Sequence, residues 1–368
     1  LYCLAADTGK LRWKFRGGPS PLKVLGNKRV ISAWPARGGP VIRDGHVYFA
    51  ASIWPFMGTF IYSLNADTGA VEWVNDSTGA QYIKQPHSAP SFAGVAPQGT
   101  LVATEKHLLV PGGRSVPAAF DRATGKFVHF EINAGGKGNG GSFVIANGSE
   151  YFVHTRYRGV RSYDLATGKK GSFIGNEPVL TRHHLYSAVT DKKGTQTIQI
   201  LNEKKKSVWS IPADASGDLI KAGSRLYAAG TNSLTAINLS DSGHKASPAW
   251  TKNVDGNIQR LLAANGQLIA VTVDGKIMAF GTKSQTPVFV LPLTRKLVSN
   301  PTAATELLQS TKARDGYCLW YGVDDPELLE SVLAESDLRI VAVESDPEKV
   351  SRLRRRFDTT AFYGKRIT

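Results

Sequence analysis

The chain has 368 residues, of which 42% are hydrophobic and 20% are charged, so composition excludes a disordered chain, and no apolar run reaches the roughly 20 residues of a membrane helix. It carries 45 Lys and Arg against 30 Asp and Glu, a formal net charge of +15. Residues 302–368 hold 10 of the basic and 12 of the acidic residues, which leaves 35 against 18 for the remainder. We therefore expect residues 1–301 to present a basic surface that an acidic partner would meet.

A short turn signature recurs after alternating apolar runs in the first half of the chain. Gly supplies the positive φ of a tight reversal, and we expect the Asp and Thr before it to bond nearby backbone amides. The glycines are 43 to 60 residues apart, a spacing that predicts tandem four-stranded β-units. The copies end at Gly9, Gly69, Gly125 and Gly168.

A Trp follows four residues after two of these glycines, at Trp13 and Trp73. Together with Trp209 and Trp250 these residues recur at one place in their units, so we expect them to pack between neighbouring sheets. Beyond Gly168 the signature decays, but paired strands continue to about residue 290, and the run Lys204 to Lys206 replaces one turn and is expected to be exposed.

Seven or so sheets in tandem are best protected by radial closure, because closure covers most edge strands. The chain begins inside a repeat at Leu1, so we expect one incomplete unit, a fragment of a longer protein, and any targeting segment upstream. The predicted first domain is a mainly β propeller over residues 1–296.

The pattern changes near residue 292. Helix-compatible residues 303–308 precede the strand 317–321, a helix from 326 to 334, the strand 338–343 and a helix from 347 to 357. Alternation of strands and helices predicts a parallel, doubly wound sheet, so residues 302–368 form a second, partial α/β domain.

The turn with its following Trp resembles the repeat of pyrroloquinoline-quinone-type (quinoprotein-like) β-propellers. The stretches 32–40 and 53–58 resemble large bacterial propeller proteins that carry an embedded class I methyltransferase-like domain, and residues 302–368 fit that Rossmann-like part. The resemblance implies a periplasmic or exported protein, and only two cysteines, Cys3 and Cys318, agree with that location.

The methyltransferase resemblance implies a place for S-adenosylmethionine. Its Gly-rich loop corresponds to residues 321–326, where only Gly322 remains of the usual glycines and Asp324 follows, and Glu344 matches the acid that binds the ribose hydroxyls. The chain stops before any strand that would carry a catalytic motif, so we expect no catalytic residue and no complete methyl transfer in this fragment.

Three residues from separate loops form a candidate anion site: Arg37, His87 and Arg114. Arg donates paired hydrogen bonds and His donates one, although the same residues also suit turns that satisfy loop carbonyls. Trp34 and Trp54, each followed by Pro, depart from the repeat and are candidates for a functional loop surface. His183 and His184 point to opposite faces of a strand, so no metal site is predicted.

The sequence therefore predicts a non-catalytic binding scaffold whose ligand is not specified. Two alternatives stay open, part of a quinone-dependent oxidoreductase and part of an S-adenosylmethionine-dependent methyltransferase. Quinone binding is disfavoured because the acidic residues that would ligate its calcium are sparse and no adjacent Cys pair is present.

Overall fold

The fold is taken from a computed structural model, which describes residues 1–5, 8–26, 29–85, 88–113, 115–130, 140–155, 159–175, 178–181, 184–202, 204–240, 245–281 and 295–368. The chain divides into two compact units. The first comprises Leu1–Pro19 and Trp34–Ser284, and the second comprises Ser20–Ala33 and Gln285–Thr368.

The first unit, called the repeat unit below, is a succession of antiparallel sheets. A two-stranded sheet comes first, five four-stranded sheets follow, and a sheet of three described strands comes last. Neighbouring strands in each sheet are consecutive in the chain, so every sheet is a meander. The mainly β character and the seven sheets agree with the prediction. Closure into a ring stays a prediction, because no described strand of the last sheet pairs with one of the first.

In chain order, the first sheet of the repeat unit consists of β1 (Tyr2–Leu4) and β2 (Leu11–Lys14). A separate hairpin, β3 (Lys23–Gly26) and β4 (Arg29–Ser32), follows and belongs to the second unit. The second sheet and another separate hairpin follow: β5 (Val41–Arg43), β6 (His46–Ala51), β7 (Phe60–Asn65), β8 (Val71–Asn75), β9 (Gln81–Lys84) and β10 (Pro90–Ala93). The third and fourth sheets are β11 (Val102–Ala103), β12 (His107–Val110), β13 (Ala118–Asp121), β14 (Phe127–His129), β15 (Ile145–Ala146), β16 (Glu150–His154), β17 (Val160–Asp164) and β18 (Lys170–Ile174).

The fifth, sixth and seventh sheets complete the repeat unit. Their strands are β19 (Val179–Leu180), β20 (Leu185–Thr190), β21 (Gln196–Leu201), β22 (Ser207–Pro212), β23 (Asp218–Ala222), β24 (Arg225–Gly230), β25 (Ser233–Leu239), β26 (Ala246–Asn253), β27 (Ile258–Ala264), β28 (Gln267–Thr272) and β29 (Ile277–Phe280).

The core of the repeat unit lies between successive sheets rather than within any one of them. Tyr48 and Ile61 of the second sheet pack in one buried cluster with Leu108 and Phe120 of the third. A strand between two such neighbours is buried on both faces, which explains why β6 is almost continuously apolar and buried. Each fully buried side chain of this size contributes about 1.5–3 kcal/mol, so neighbouring sheets hold one another in place.

The turn signature forms the reversals between the third and fourth strands, with one change to the expected chemistry. The side chain that accepts the backbone amides is not that of the residue directly before Thr-Gly but that of the residue two positions earlier. Asn65 Oδ1 accepts the amides of Asp67 and Thr68 at 3.1 and 3.0 Å. Asp121 and Asp164 do the same in the next two turns. The Thr hydroxyl accepts an amide as expected, from Ala70 in the second sheet.

The predicted packing of tryptophans between sheets is confirmed for two of them. Trp13 Nε1 donates to the carbonyl of Ala66 at 3.0 Å, and Trp73 Nε1 donates to the carbonyl of Arg122 at 3.1 Å. Both acceptors lie in the turn of the following sheet. Trp209 packs against a core cluster, and its Nε1 has no hydrogen-bond partner in the described part of the chain, while Trp250 is 37% exposed.

The Lys run at 204–206 is not wholly exposed, because Lys205 turns inward. Its side chain is only 15% exposed, and its Nζ lies 2.5 Å from Glu150 Oε1 and 2.7 Å from Ser162 Oγ. Both partners belong to the preceding sheet, so this turn is anchored by an ion pair where other turns are anchored by an indole.

The second unit contains the predicted order of helices and strands, and β30 and β31 are parallel and in register from Tyr317 opposite Arg339 to Tyr321 opposite Val343. Each helix begins with Pro after a polar cap, and Asp346 at the start of the third helix accepts the amide of Glu348 at 2.8 Å. The elements are α1 (Pro301–Thr311), β30 (Tyr317–Tyr321), α2 (Pro326–Glu335), β31 (Arg339–Val343) and α3 (Pro347–Asp358).

Glu330 of α2 is fully buried and joins three segments of this unit. Arg295 holds both its carboxylate oxygens, at 2.8 and 2.6 Å, while Arg356 Nε donates at 2.6 Å and the Val298 amide donates at 2.7 Å. Burial alone would raise the pKa of Glu330, but these donors lower it to about 2.

Candidate functional site

The repeat unit has two chemically different ends. In a four-stranded meander, the link between the second and third strands and the link to the next sheet lie at one end, and the Asp-Thr-Gly turns lie at the other. We call the first the loop end. The segments that contain Arg37, Trp54 and residues 84–88 all belong to loop-end links, as does the segment 111–117.

A cavity of about 390 Å³ opens where the first strands of several sheets begin. Close backbone approach makes this possible: a Cβ on Gly38 would collide with the carbonyl of Gly99, and a Cβ on Gly99 would collide with the carbonyl of Ser142. The lining residues lie in the first strands of the sixth and seventh sheets or in the links before the first strands of the second, third and fourth sheets, and we call this space the axial cavity. It is lined by Gly38, Gly39, Gly99, Thr100, Ser142, Phe143, Val144, Asp218 and Arg260.

The two charged residues of the axial cavity have different roles. Asp218 Oδ1 accepts the Leu219 amide at 2.9 Å and Oδ2 accepts the Leu261 amide at 2.8 Å, so this carboxylate joins the first strands of the sixth and seventh sheets. Arg260 is exposed, and its guanidinium reaches the carbonyl of Gln259 at 3.1 Å. The cavity thus contains one carboxylate that joins two sheets and one exposed guanidinium.

Arg37 lies at this end, directly before Gly38 of the axial cavity. Its guanidinium donates to the side-chain oxygen Oε1 of Gln98 at 2.9 Å. The backbone N–H of Gln98 donates to the carbonyl of Pro111. Gln98 therefore links Arg37 to Pro111, which lies three residues before Arg114 in the sequence. Arg114 itself and His87 lie outside the described residues, so the three-residue anion site stays a prediction.

The two Trp-Pro loops differ in exposure. Trp34 is half-buried, and its Nε1 donates to the carbonyl of Met57 at 2.8 Å, which fixes the short 3₁₀ helix Pro55–Met57. Trp54 is 41% exposed and stacks with Phe56 at 6.2 Å. Trp34 is thus a positioning residue for the loop that presents Trp54.

In the second unit, the predicted cofactor residues lie at the carboxyl ends of β30 and β31. Gly322 has φ +68, with open space around its Cβ position, so its backbone conformation and not crowding favours Gly. Glu344 follows β31, and its Oε2 accepts the Val323 amide at 3.2 Å across the two strand ends. Asp324 is 95% exposed and pairs with Lys349 at 2.7 Å.

The Glu344 carboxylate is already fully engaged. Lys349 Nζ lies 2.8 Å from Oε2, and the amides of Ser345 and Asp346 donate to Oε1 at 2.8 and 3.1 Å. Lys349 first, and then the amides, lower the pKa of Glu344 to about 2. A carboxylate accepts about four hydrogen bonds, so a ribose diol would have to displace Lys349. In the present arrangement the residues do not fit S-adenosylmethionine.

No group of three or more His, Cys, Asp and Glu side chains is placed to hold a metal ion in the described ranges. None of the described helices is long and apolar enough to cross a membrane. His183, one of the two adjacent histidines, falls outside the described residues.

The recurring turn, its inter-sheet indole and the order of the sheets define a repeat that can be compared with known families. A family model described as outer membrane protein assembly factor BamB matches residues 1–210. The chain belongs to this family. The matched BamB-family region ends within the fifth sheet, before the helices and parallel strands of residues 301–358.

Solved structures similar to this BamB-family chain include BamB from Moraxella catarrhalis, with 16% identity, coverage of 76% of this chain and 78% of that chain, and a TM-score of 0.46. The quinohemoprotein alcohol dehydrogenase ADHIIG from Pseudomonas putida HK5 has 9% identity, coverage of 83% and 68%, and a TM-score of 0.46. The computationally designed protein Ika8 has 8% identity, coverage of 67% and 96%, and a TM-score of 0.34. No curated protein matches the chain significantly.

Proposed function

We propose that the repeat unit is a non-catalytic binding scaffold and that its loop end is the binding face. The axial cavity carries this proposal, because loop-end links and first strands from separate repeats line one open space of about 390 Å³ there. Loops on a rigid β scaffold are the usual position for binding residues. Family membership agrees with such a role without specifying the partner.

The proposed ligand is an acidic group on a partner molecule. Arg37 contributes a guanidinium beside the axial cavity, and His87 and Arg114 are proposed to complete the anion site. The excess of 35 basic over 18 acidic residues in residues 1–301 would attract such a partner over a distance of about a Debye length.

Calorimetry with poly-L-glutamate tests this proposal. Arg37→Ala and Arg114→Ala are expected to weaken binding about tenfold each, whereas Lys126→Ala, an exposed base beside a turn at the opposite end, is expected to leave it unchanged. Equal weakening by all three variants would show that net charge alone accounts for the binding. Absence of binding by the wild-type chain would overturn the proposal.

A periplasmic or exported location fits a family described as an outer membrane protein assembly factor, and it belongs to the same proposal. Recovery of the epitope-tagged natural protein from the soluble periplasmic or secreted fraction would support it. Recovery with cytoplasmic markers would contradict it.

An alternative to the scaffold function is that the second unit binds S-adenosylmethionine as part of a methyltransferase. The approach of Glu344 to the amide after Gly322 favours it, while Lys349 opposes it. Titration with S-adenosylmethionine distinguishes the two, since a true site should bind more tightly in Lys349→Met and lose binding in Glu344→Gln. The quinone-dependent alternative predicts dye reduction with an alcohol or sugar after addition of the quinone and Ca²⁺.

A further inference from the structure

Two pairs of exposed aromatic side chains lie at the loop end, outside every repeat sheet. Phe56 is 76% exposed and stacks on Trp54, whereas Tyr82 and Phe92 are 64% and 75% exposed and meet edge to face at 5.3 Å. We call these four residues the aromatic surface. Exposed aromatics grouped in this way are typical of interaction sites and not of an ordinary solvated surface.

The two pairs belong to adjoining segments. Trp54 and Phe56 flank Pro55 in the link between β6 and β7, and Tyr82 and Phe92 face each other across the β9–β10 hairpin. At the base of that hairpin, a Cβ on Gly94 would lie 2.8 Å from Pro55 Cβ, and a Cβ on Gly79 would lie 2.9 Å from the Thr59 amide. Both glycines thus allow the hairpin to pack directly against the Pro55 loop.

Buried hydrogen bonds hold this arrangement. Thr59 is fully buried, and its hydroxyl donates to the carbonyl of Val95 at 2.7 Å, just after the hairpin. The Trp34 indole fixes the other side of the loop through Met57. The aromatic surface is therefore supported by a preformed scaffold, which lowers the entropy cost of binding.

The two chain segments that carry the aromatic surface favour a partner of negative charge. Residues 47–66 contain no Asp, Glu, Lys or Arg, and residues 77–104 contain Lys84 and no acidic residue. An acidic partner would meet no like charge from either segment, and the basic excess of residues 1–301 would attract it.

The hairpin also favours an extended polypeptide over other acidic molecules. No other strand in the described part of the chain pairs with β9 or β10, so the edges of this two-stranded sheet are available for main-chain hydrogen bonds. A single-stranded nucleic acid would instead require a groove with several basic residues along its phosphates, whereas these segments supply one Lys.

We infer that the aromatic surface binds an extended acidic segment of a partner polypeptide, whose apolar side chains pack on Phe56 and Phe92 while its carboxylates face the basic surface. This inference rests on the proposed function and specifies the partner. It predicts that the aromatic residues contribute most of the affinity and that charge contributes mainly to the rate of association.

The probe is a fluorescein-labelled peptide in which Glu alternates with Phe and Val over ten residues, and its binding to the full chain is followed by fluorescence anisotropy. Phe56→Ser and Phe92→Ser are each expected to raise Kd about tenfold or more. Tyr2→Ser is the matched control, because Tyr2 is 71% exposed on β1 and is expected to have no effect. Far-UV circular dichroism verifies that each variant is folded.

Several outcomes would overturn the inference: no binding of the peptide, equal binding by Phe92→Ser and the wild-type chain, stronger binding of the analogue with Lys in place of Glu, or preferential binding of a ten-residue oligothymidylate. The proposed function is tested separately with Arg37→Ala and poly-L-glutamate. If poly-L-glutamate binds through Arg37 while Phe92→Ser leaves peptide binding unchanged, the scaffold proposal stands and only the aromatic surface is rejected.

Discussion

The indole of Trp73 lies across Gly125 of the following sheet, and a Cβ on Gly125 would come within 2.7 Å of its Cδ2 atom. The same relation joins Trp13 to Gly69, also at 2.7 Å. The turn glycine thus has two functions, since it adopts φ +70 at Gly125 and provides the flat surface on which the preceding sheet packs. The Gly and the Trp of the sequence signature are therefore in contact, but the two residues of each contact belong to neighbouring repeats.

Substitution of Gly125 by Ala should reveal both functions. We expect Gly125→Ala to lower the free energy of unfolding by about 2–4 kcal/mol, because a left-handed φ costs about 1–2 kcal/mol and the displaced indole adds a packing term. Gly223→Ala separates the two terms, since Gly223 has φ +59 with nothing within 4 Å of its Cβ position. Urea unfolding measures both, and an equal loss in the two variants would contradict the packing role.

His129 occupies the place of the indole between the third and fourth sheets. It lies four residues after Gly125, its Nε2 bonds the carbonyl of Leu165 at 3.0 Å, and a Cβ on Gly168 would lie 2.7 Å from its Nδ1. That Nδ1 is buried and has no hydrogen-bond partner in the described part of the chain.

We expect His129→Trp to be tolerated and to stabilise the repeat unit by about 1 kcal/mol, because the indole keeps the donor and removes a buried unsatisfied nitrogen. His129→Ala should destabilise it by about 2–3 kcal/mol through the cavity it leaves. Thermal unfolding of the three proteins decides this, and a lower midpoint for His129→Trp than for the wild-type chain would show that the site does not accept an indole.

Lys205 should be distinguishable from its two neighbours in the Lys run. Lys205→Met is expected to cost about 1–3 kcal/mol, since it leaves the half-buried Glu150 and the buried Ser162 hydroxyl without their charged partner. Lys204→Met and Lys206→Met remove the same charge from exposed positions and should change the stability by less than about 0.5 kcal/mol. Similar effects of all three substitutions in urea unfolding would assign the contribution to net charge.

Glu330 should control the stability of the second unit and its dependence on pH. Glu330→Ala is expected to cost about 3–5 kcal/mol because it leaves Arg295 and Arg356 beside an empty buried position. Glu327→Ala on the same helix is the control, since that side chain is 67% exposed.

The pKa of Glu330 is about 2 in the folded chain and near the ordinary value of 4.5 in the unfolded chain, so the unfolded state binds the proton more tightly. The stabilisation is therefore complete above about pH 4.5 and is lost as the pH falls from there towards 2. Glu344, whose pKa is also about 2, adds a loss in the same range. Far-UV circular dichroism against pH should show less acid sensitivity in Glu330→Ala, and an unchanged slope would contradict this assignment.

The alternating strands, the turn glycines, the order of helices and strands in the second unit and the Asp346 cap were all predictable, because each depends on residues close together in the chain. Lys205 was read as exposed, and the anchoring role of Asn65 in its turn was not foreseen. His129 stands four residues after Gly125, as Trp13 and Trp73 stand after their glycines. Because His does not match the Trp of the signature, the sequence pattern does not identify it as a packing residue.

The sequence by itself determined the repeat, its period, the basic excess of residues 1–301 and the change to an α/β pattern near residue 292. The tertiary structure decided which loops share an end, that Gly38, Gly99 and Ser142 meet around one cavity, and that Lys349 already engages Glu344. Local periodicity follows from backbone geometry within a few residues, whereas these contacts join residues that the packing of separate sheets and helices brings together.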